Sequence, residues 1–190
     1  MTVRERRERE RAQRERLIVT TARNLAEAEG WDAVTTRRLA ELIEYSQPVL
    51  YSHFTGKDAI MAAVAVEGFA ELAAQLDAAR AKAPGARTAL AAVVSAYVDF
   101  AERRPALYDA MFTRAVDLQF AHPETPAALR QAFGALRDAL RPFTGDDELD
   151  LHTEVLWASL HGLVTLMQGE RLPRETHERR IALLLDRFVD

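Results

Sequence analysis

The 190-residue sequence is 48% hydrophobic and 28% charged, which is enough apolar material for one large or two small cored domains of a soluble globular protein. It has no cysteine, so disulfide frameworks, thiolate metal sites and cysteine nucleophiles are excluded. The N-terminus is too charged for a signal peptide and no apolar run approaches membrane length, so a cytoplasmic protein without a membrane partner is expected.

The net charge of -4 hides an asymmetry. Residues 1–60 carry 11 Lys and Arg against 10 Asp and Glu, leaving 14 against 19 for residues 61–190. Within the first 16 residues, 7 Arg face 4 Glu. The basic end is the one that suits a polyanion such as DNA.

Apolar residues recur at helical spacing almost throughout, with Gly and Pro between the periodic segments and no alternating strand pattern, so the fold class is all-α. Helix one runs to about Glu29, with Ile18, Ala22, Leu25 and Ala26 on one face and Gly30 placed for a left-handed cap. Thr35 caps a short second helix that buries Leu39, Ala40 and Ile43. Ser46 is placed to cap a third that carries Val49, Leu50 and Phe54. A long fourth helix starts at Thr55 or Gly56, carries Ile60, Val64, Phe69, Leu72 and Leu76, and ends before Pro84-Gly85. A fifth spans about 87–103, a short sixth follows Pro105, and three more run over about 126–141, 147–168 and 174–189, with a loop over 115–125.

Two short helices, Thr35 to Leu42 and Ser46 to Phe54, separated by about three residues, have the size of a helix-turn-helix, although pairs of this size also occur as packing motifs. The residue pattern decides between the two. It reads Thr35-Thr36-Arg37-Arg38-Leu39-Ala40, then Ser46-Gln47-Pro48-Val49-Leu50-Tyr51-Ser52-His53-Phe54, then Gly56-Lys57-Asp58-Ala59-Ile60. Over residues 14–64 this resembles the TetR family of regulators. Glu44 departs from the family pattern, which has a turn glycine there; a non-glycine needs a different turn or a left-handed backbone. Further on, Leu156-Trp157-Ala158-Ser159-Leu160-His161-Gly162 resembles the Trp-x-x-x-His-Gly signature of one TetR-type C-terminal domain class, the WHG class.

The resemblance implies a nine-helix architecture, with a DNA-binding domain over 1–55 and a ligand-binding and dimerisation domain over 56–190. Each motif residue has a chemical reason. Pro48 is tolerated because the first helical turn has no internal partner for its N–H. Gln47 suits the paired hydrogen-bonding edge of adenine, Val49 a thymine methyl, and Tyr51 and His53 a phosphate or base. Thr35, Thr36 and Arg37 at one helix start and Lys57 at another suit phosphates, because free N–H groups and the helix dipole attract anions there. Ser46 joins this set, first as a cap. Leu50 and Phe54 are core, and a partly buried Tyr51 with a wet hydroxyl is the alternative reading of that residue. The Arg/Glu start is read first as a solvated helical extension, with Glu5–Arg9 and Glu10–Arg14 as i,i+4 pairs, and second as an arm on DNA.

In the second half, helix eight is apolar on more than one face. With Ile181, Leu184, Leu185 and Phe188 of helix nine, its Leu160, Leu163 and Met167 would form an isologous four-helix interface between two copies, a homodimer. Phe69, Leu72, Tyr97, Phe100, Tyr108, Met111, Phe112, Phe133, Trp157 and His161 are candidates for binding a small hydrophobic or aromatic effector; each is also an ordinary core residue by type. No catalytic site, metal site or cofactor is expected: no His follows Glu by three positions, and there is no glycine-rich phosphate loop or nucleophile elbow. The expected function is a bacterial, nucleoid-associated repressor on a palindromic double-stranded operator. A helical ligand-binding adaptor without DNA binding is the alternative.

Overall fold

The computed structural model describes residues 2–114, 118–120 and 122–189; of the loop expected over 115–125, positions 115–117 and 121 lie outside the described residues. Among the described residues there are nine α-helices and no strand: α1 (Val3–Glu29), α2 (Thr36–Leu42), α3 (Gln47–Tyr51), α4 (Lys57–Lys82), α5 (Ala86–Arg103), α6 (Pro105–Phe112), α7 (Ala127–Leu140), α8 (Leu149–Gln168) and α9 (His177–Val189). The boundaries follow the local signals. Gly30 ends α1 at φ 81°, Thr35 caps α2 by accepting from the Arg38 N–H at 3.1 Å, and Pro105 opens α6. Ser46 occupies the cap position of α3 but its hydroxyl makes no capping bond.

Two elements are shorter than the sequence reading. The third helix stops at Tyr51, after which the Leu50 carbonyl is shared by the His53 N–H, three residues on as in a tighter 3-10 turn, and the Phe54 N–H, at 3.0 Å each. α9 begins at His177 because Arg174–Thr176 form a tighter 3-10 turn.

The chain divides into two compact units, Met1–Gly68 with Arg104–Glu124, and Phe69–Arg103 with Thr125–Asp190. This differs from a division at 55/56. The start of α4 and all of α6 belong with the N-terminal helices, and α6 packs on α1. The core of this unit includes Ile18, Ala22, Leu39, Leu50, Ile60 and Val64, together with Leu107, Tyr108 and Met111 of α6. Full burial of each Leu, Ile, Val or Met side chain among these is worth about 1.5 to 3 kcal/mol. In the second unit α5, α7 and α8 pack pairwise and α9 lies on α5. Its core includes Leu90, Val94, Tyr97, Phe100, Leu136, Leu156 and Leu160.

By length and composition α4 does reach the size of a membrane span, with a mean hydropathy of 1.5 over its most apolar stretch. Half of that stretch is buried inside the protein, as expected of a core helix.

Candidate nucleic-acid interface

The turn between α2 and α3 is built on the residue that departs from the family pattern. Glu44 has φ 57°, the Tyr45 N–H reaches the Ala40 carbonyl at 2.9 Å, and the Glu44 N–H reaches Glu41 at 3.4 Å. This is a Schellman ending in which the left-handed position, normally glycine's, holds a glutamate. The backbone therefore keeps the turn and carries the strain.

From that turn α3 presents one face outward. Ser46, Gln47, Pro48, Val49 and Tyr51 are exposed while Leu50 between them is buried, anchoring the helix. Thr35 and Arg37 are exposed beside them and Thr36 is half-buried. The Tyr51 hydroxyl lies 3.4 Å from the Thr36 hydroxyl, linking the two short helices at their outer edge. Arg37 pairs with Glu41 at 3.0 Å on the surface. A face with an amide, a phenol, an exposed valine and adjacent threonine and arginine side chains has the donors and methyls that read base edges and hold phosphates.

Of the residues expected on this face, His53 is turned away from it and Lys57 is partly engaged by the protein itself. The His53 side chain is only 6% exposed and its Nδ1 lies 3.3 Å from Glu15 Oε1 on α1. It pins the end of the reading helix to α1 and does not offer its ring to DNA. The Glu15 carboxyl is held below the usual range, first by its hydrogen bond to Arg11 and then by His53, against the opposing effect of burial. Lys57 opens α4 as expected, but its ammonium donates to the Trp31 carbonyl at 2.5 Å.

Two residues that carry this geometry were not singled out from sequence. The Trp31 indole donates to the Ala106 carbonyl at 2.7 Å, and the Glu27 carboxylate accepts from the Ala106 and Leu107 N–H groups at 3.3 and 3.0 Å. The signal was present in Pro105: a helix opening on proline leaves the next N–H groups free, and an acceptor must come from elsewhere. The packing there is tight, since a Cβ at Gly68 would lie 2.6 Å from Met111 Sδ and 2.8 Å from Leu107 Cδ1.

The effector candidates fall on both units. Tyr108, Met111 and Phe112 sit on α6 in the N-terminal unit, with the Tyr108 and Phe112 rings 4.7 Å apart. Phe69, Leu72, Tyr97, Phe100, Phe133, Trp157 and His161 belong to the second unit. Phe69, Leu72, Tyr97 and Phe100 are buried, while Phe133, Trp157 and His161 are half-buried. Burial holds the His161 imidazole below its ordinary value.

The subunit-contact set needs one correction. Leu160 and Met167, expected between copies, are buried within their own protomer because that stripe of α8 meets α5 and α7. Leu163, Ile181, Leu184, Leu185 and Phe188 are half-buried. The outward side of α8 exposes Leu151, Val155 and Leu166 instead. Leu151 and Val155 line a groove with Leu184 and Phe188 of α9.

Residues 18–64 match the model of bacterial regulatory proteins of the tetR family, and residues 90–190 match the tetracyclin repressor-like C-terminal domain. The chain is 27% identical to the HTH-type transcriptional regulator YobS of Bacillus subtilis (strain 168), over 85% of this chain and 82% of that protein. It is 31% identical to the HTH-type transcriptional regulator Rv0681 of Mycobacterium tuberculosis, over 78% of this chain and 67% of that one. The crystal structure of the TetR family transcriptional regulator PfmR from Thermus thermophilus shares the fold at a TM-score of 0.63 and 20% identity, covering 89% of this chain and 97% of that one. The chain belongs to the tetR family of bacterial regulatory proteins: it is a ligand-responsive, DNA-binding transcriptional regulator of the bacterial cytoplasm, in a family whose members are not enzymes and act as dimers on DNA operators.

Proposed function

We propose that this regulator is a repressor that holds a palindromic operator with two copies of α3 and is released by a small apolar effector. The observation that carries the reading is the outward face of α3, where Gln47, Val49 and Tyr51 stand exposed on a helix fixed from behind by buried Leu50. In this reading Gln47 and Val49 address base edges, Tyr51 a base or phosphate, and Thr35, Thr36 and Arg37 the backbone. Lys57 gives one of its donors to Trp31 and keeps two for a phosphate. Two half-sites about 34 to 36 Å apart would match a two-fold dimer formed through the outward faces of α8 and α9. Such a protein is nucleoid-associated through its DNA.

The effector reading is supported by Tyr97 and Phe100 of α5, Phe133 of α7, and Trp157 and His161 of α8, on three mutually packed helices. Aromatic side chains with a few polar tips suit an aromatic or hydrophobic small molecule. Whatever factor the effector takes from DNA affinity, DNA must take from effector affinity.

An electrophoretic shift against the DNA flanking the protein's own gene tests the first part; retarded complexes with two-fold symmetric footprints are expected, and no shift at low salt overturns it. Calorimetry of a found ligand with and without operator tests the second, and equal affinities in both titrations overturn it.

A further inference from the structure

We propose that Arg7 and Arg14, on the first four turns of α1, grip the phosphate backbone of DNA alongside the segment addressed by α3. The inference rests on the DNA-binding reading above and adds to it a second contact surface.

α1 begins at Val3, yet its first buried residue is Ile18, so about four turns stand without a buried face. A helix that is polar all round needs either side-chain pairs or a partner. Pairs on this stretch include Arg4–Glu8 at 2.8 Å, Arg6–Glu10 at 3.4 Å and Arg11–Glu15 at 2.9 Å. Each places the arginine first, the weaker of the two orders, and the arginines crowd the positive end of the helix dipole. Helix stability therefore does not account for Arg7 and Arg14, which are in none of these pairs. Glu10 pairs with Arg6, not with Arg14 as its spacing also allowed.

Their direction is informative. Arg7 lies eighteen residues and Arg14 eleven residues before Leu25, about five and three whole turns. Leu25 is 7% exposed in the N-terminal unit, so both arginines continue, outward along α1, the side that packs on that unit. The neighbouring Glu15 meets His53, just beyond the end of α3. This stretch of α1 thus runs beside the reading helix. Arg7 and Arg14 are exposed, and among the described residues neither forms an ion pair. They are separated by about 10 Å along the helix, roughly the axial rise of three base steps of DNA. The segment uses arginine and no lysine, the choice that suits bidentate phosphate contacts. Arg16 is equally exposed and unpaired, but stands nine residues beyond Arg7, about two and a half turns, on the opposite side. It serves as an internal control.

The test is fluorescence anisotropy of the full-length protein on a labelled duplex from the DNA flanking its gene, extended by one helical turn at each end, titrated over a range of KCl. Arg7→Gln with Arg14→Gln should flatten the plot of log K against log salt by about 1.8 per protomer, 0.9 for each lost phosphate contact. Arg7→Lys with Arg14→Lys should keep most of the slope, and Arg16→Gln should keep all of it. If the parent binds and the double glutamine variant keeps the parental slope, the inference fails while the DNA-binding reading stands. An equal loss in Arg16→Gln overturns it too, as a diffuse charge effect. If the parent does not bind, both readings fall. Arginine-dependent binding to phosphatidylglycerol vesicles, with no change in DNA slope, would reassign the stripe to a lipid surface.

Discussion

The indole N–H of Trp31 donates to the backbone carbonyl of Ala106 at 2.7 Å, joining positions 75 residues apart in the chain. Because the Trp31 carbonyl accepts in turn from Lys57, one residue ties the starts of α4 and α6 to the end of α1. Trp31→Phe keeps most of the apolar volume but leaves the Ala106 carbonyl without its donor. It should cost about 1 to 3 kcal/mol in urea denaturation. An unchanged midpoint would mean that water replaces the indole at no cost.

Glu44 carries left-handed strain where glycine carries none. Glu44→Gly should stabilise the protein by about 0.5 to 1 kcal/mol, the relief of the side-chain clash outweighing the greater freedom of the unfolded glycine. The check is a higher urea midpoint at constant m-value; a fall in midpoint would show that the glutamate side chain stabilises the turn.

Gln47 and Arg37 should fail in different ways. Gln47→Ala should lose about 1 to 3 kcal/mol of discrimination at one base pair of the operator, because a paired amide contact carries that much. Arg37→Ala should weaken all sequences alike and reduce the salt slope by about 0.9. Binding isotherms on single-base operator variants separate the two, and identical profiles would refute both assignments.

Leu151→Glu with Val155→Glu places two charges on the outward side of α8. Static light scattering should report half the parental mass, with helical circular dichroism retained. Leu160→Glu buries a carboxylate in the protomer core and should unfold the chain, since Leu160 is fully buried. A parental mass for the first variant would move the dimer contact elsewhere.

His161 is held below the ordinary histidine value of 6.5 by burial. Below that value the unfolded chain binds a proton that the folded protein takes up only at lower pH. Stability should therefore fall as pH drops through 6.5, and His161→Gln should flatten that part of the profile. Thermal melts across this range check it; a profile identical in the variant would assign the slope to other groups.

What could be read from sequence is what is decided locally. Gly30, Thr35 and Pro105 act within a turn of where they stand, so the boundaries they set were legible, and so was the left-handed alternative at Glu44. The directions of His53 and Lys57 were not, because spacing places a Cα and not a side chain. Their partners, Glu15 and the Trp31 carbonyl, lie 38 and 26 residues away. On α8 the periodicity marked apolar residues on more than one face, and the expectation put Leu160, Leu163 and Met167 on the side between copies. Only the packing of α5 and α7 shows that Leu160 and Met167 belong to the inner face and that Leu151 and Val155 face outward.

α9 has no fully buried side chain in the protomer, although it spans 13 residues. Within one copy α9 is held by half-buried contacts, with α5 and, through the edge-on Phe188 and His152 rings, with α8, so its backbone amides should exchange with deuterium more readily whenever the second copy is absent. Slow exchange in α9 then measures association, while slow exchange in α5 or α8 measures folding. Diluting the protein should unprotect His177–Val189 before any other helix of the second unit, giving each molecule a built-in gauge of whether it is paired.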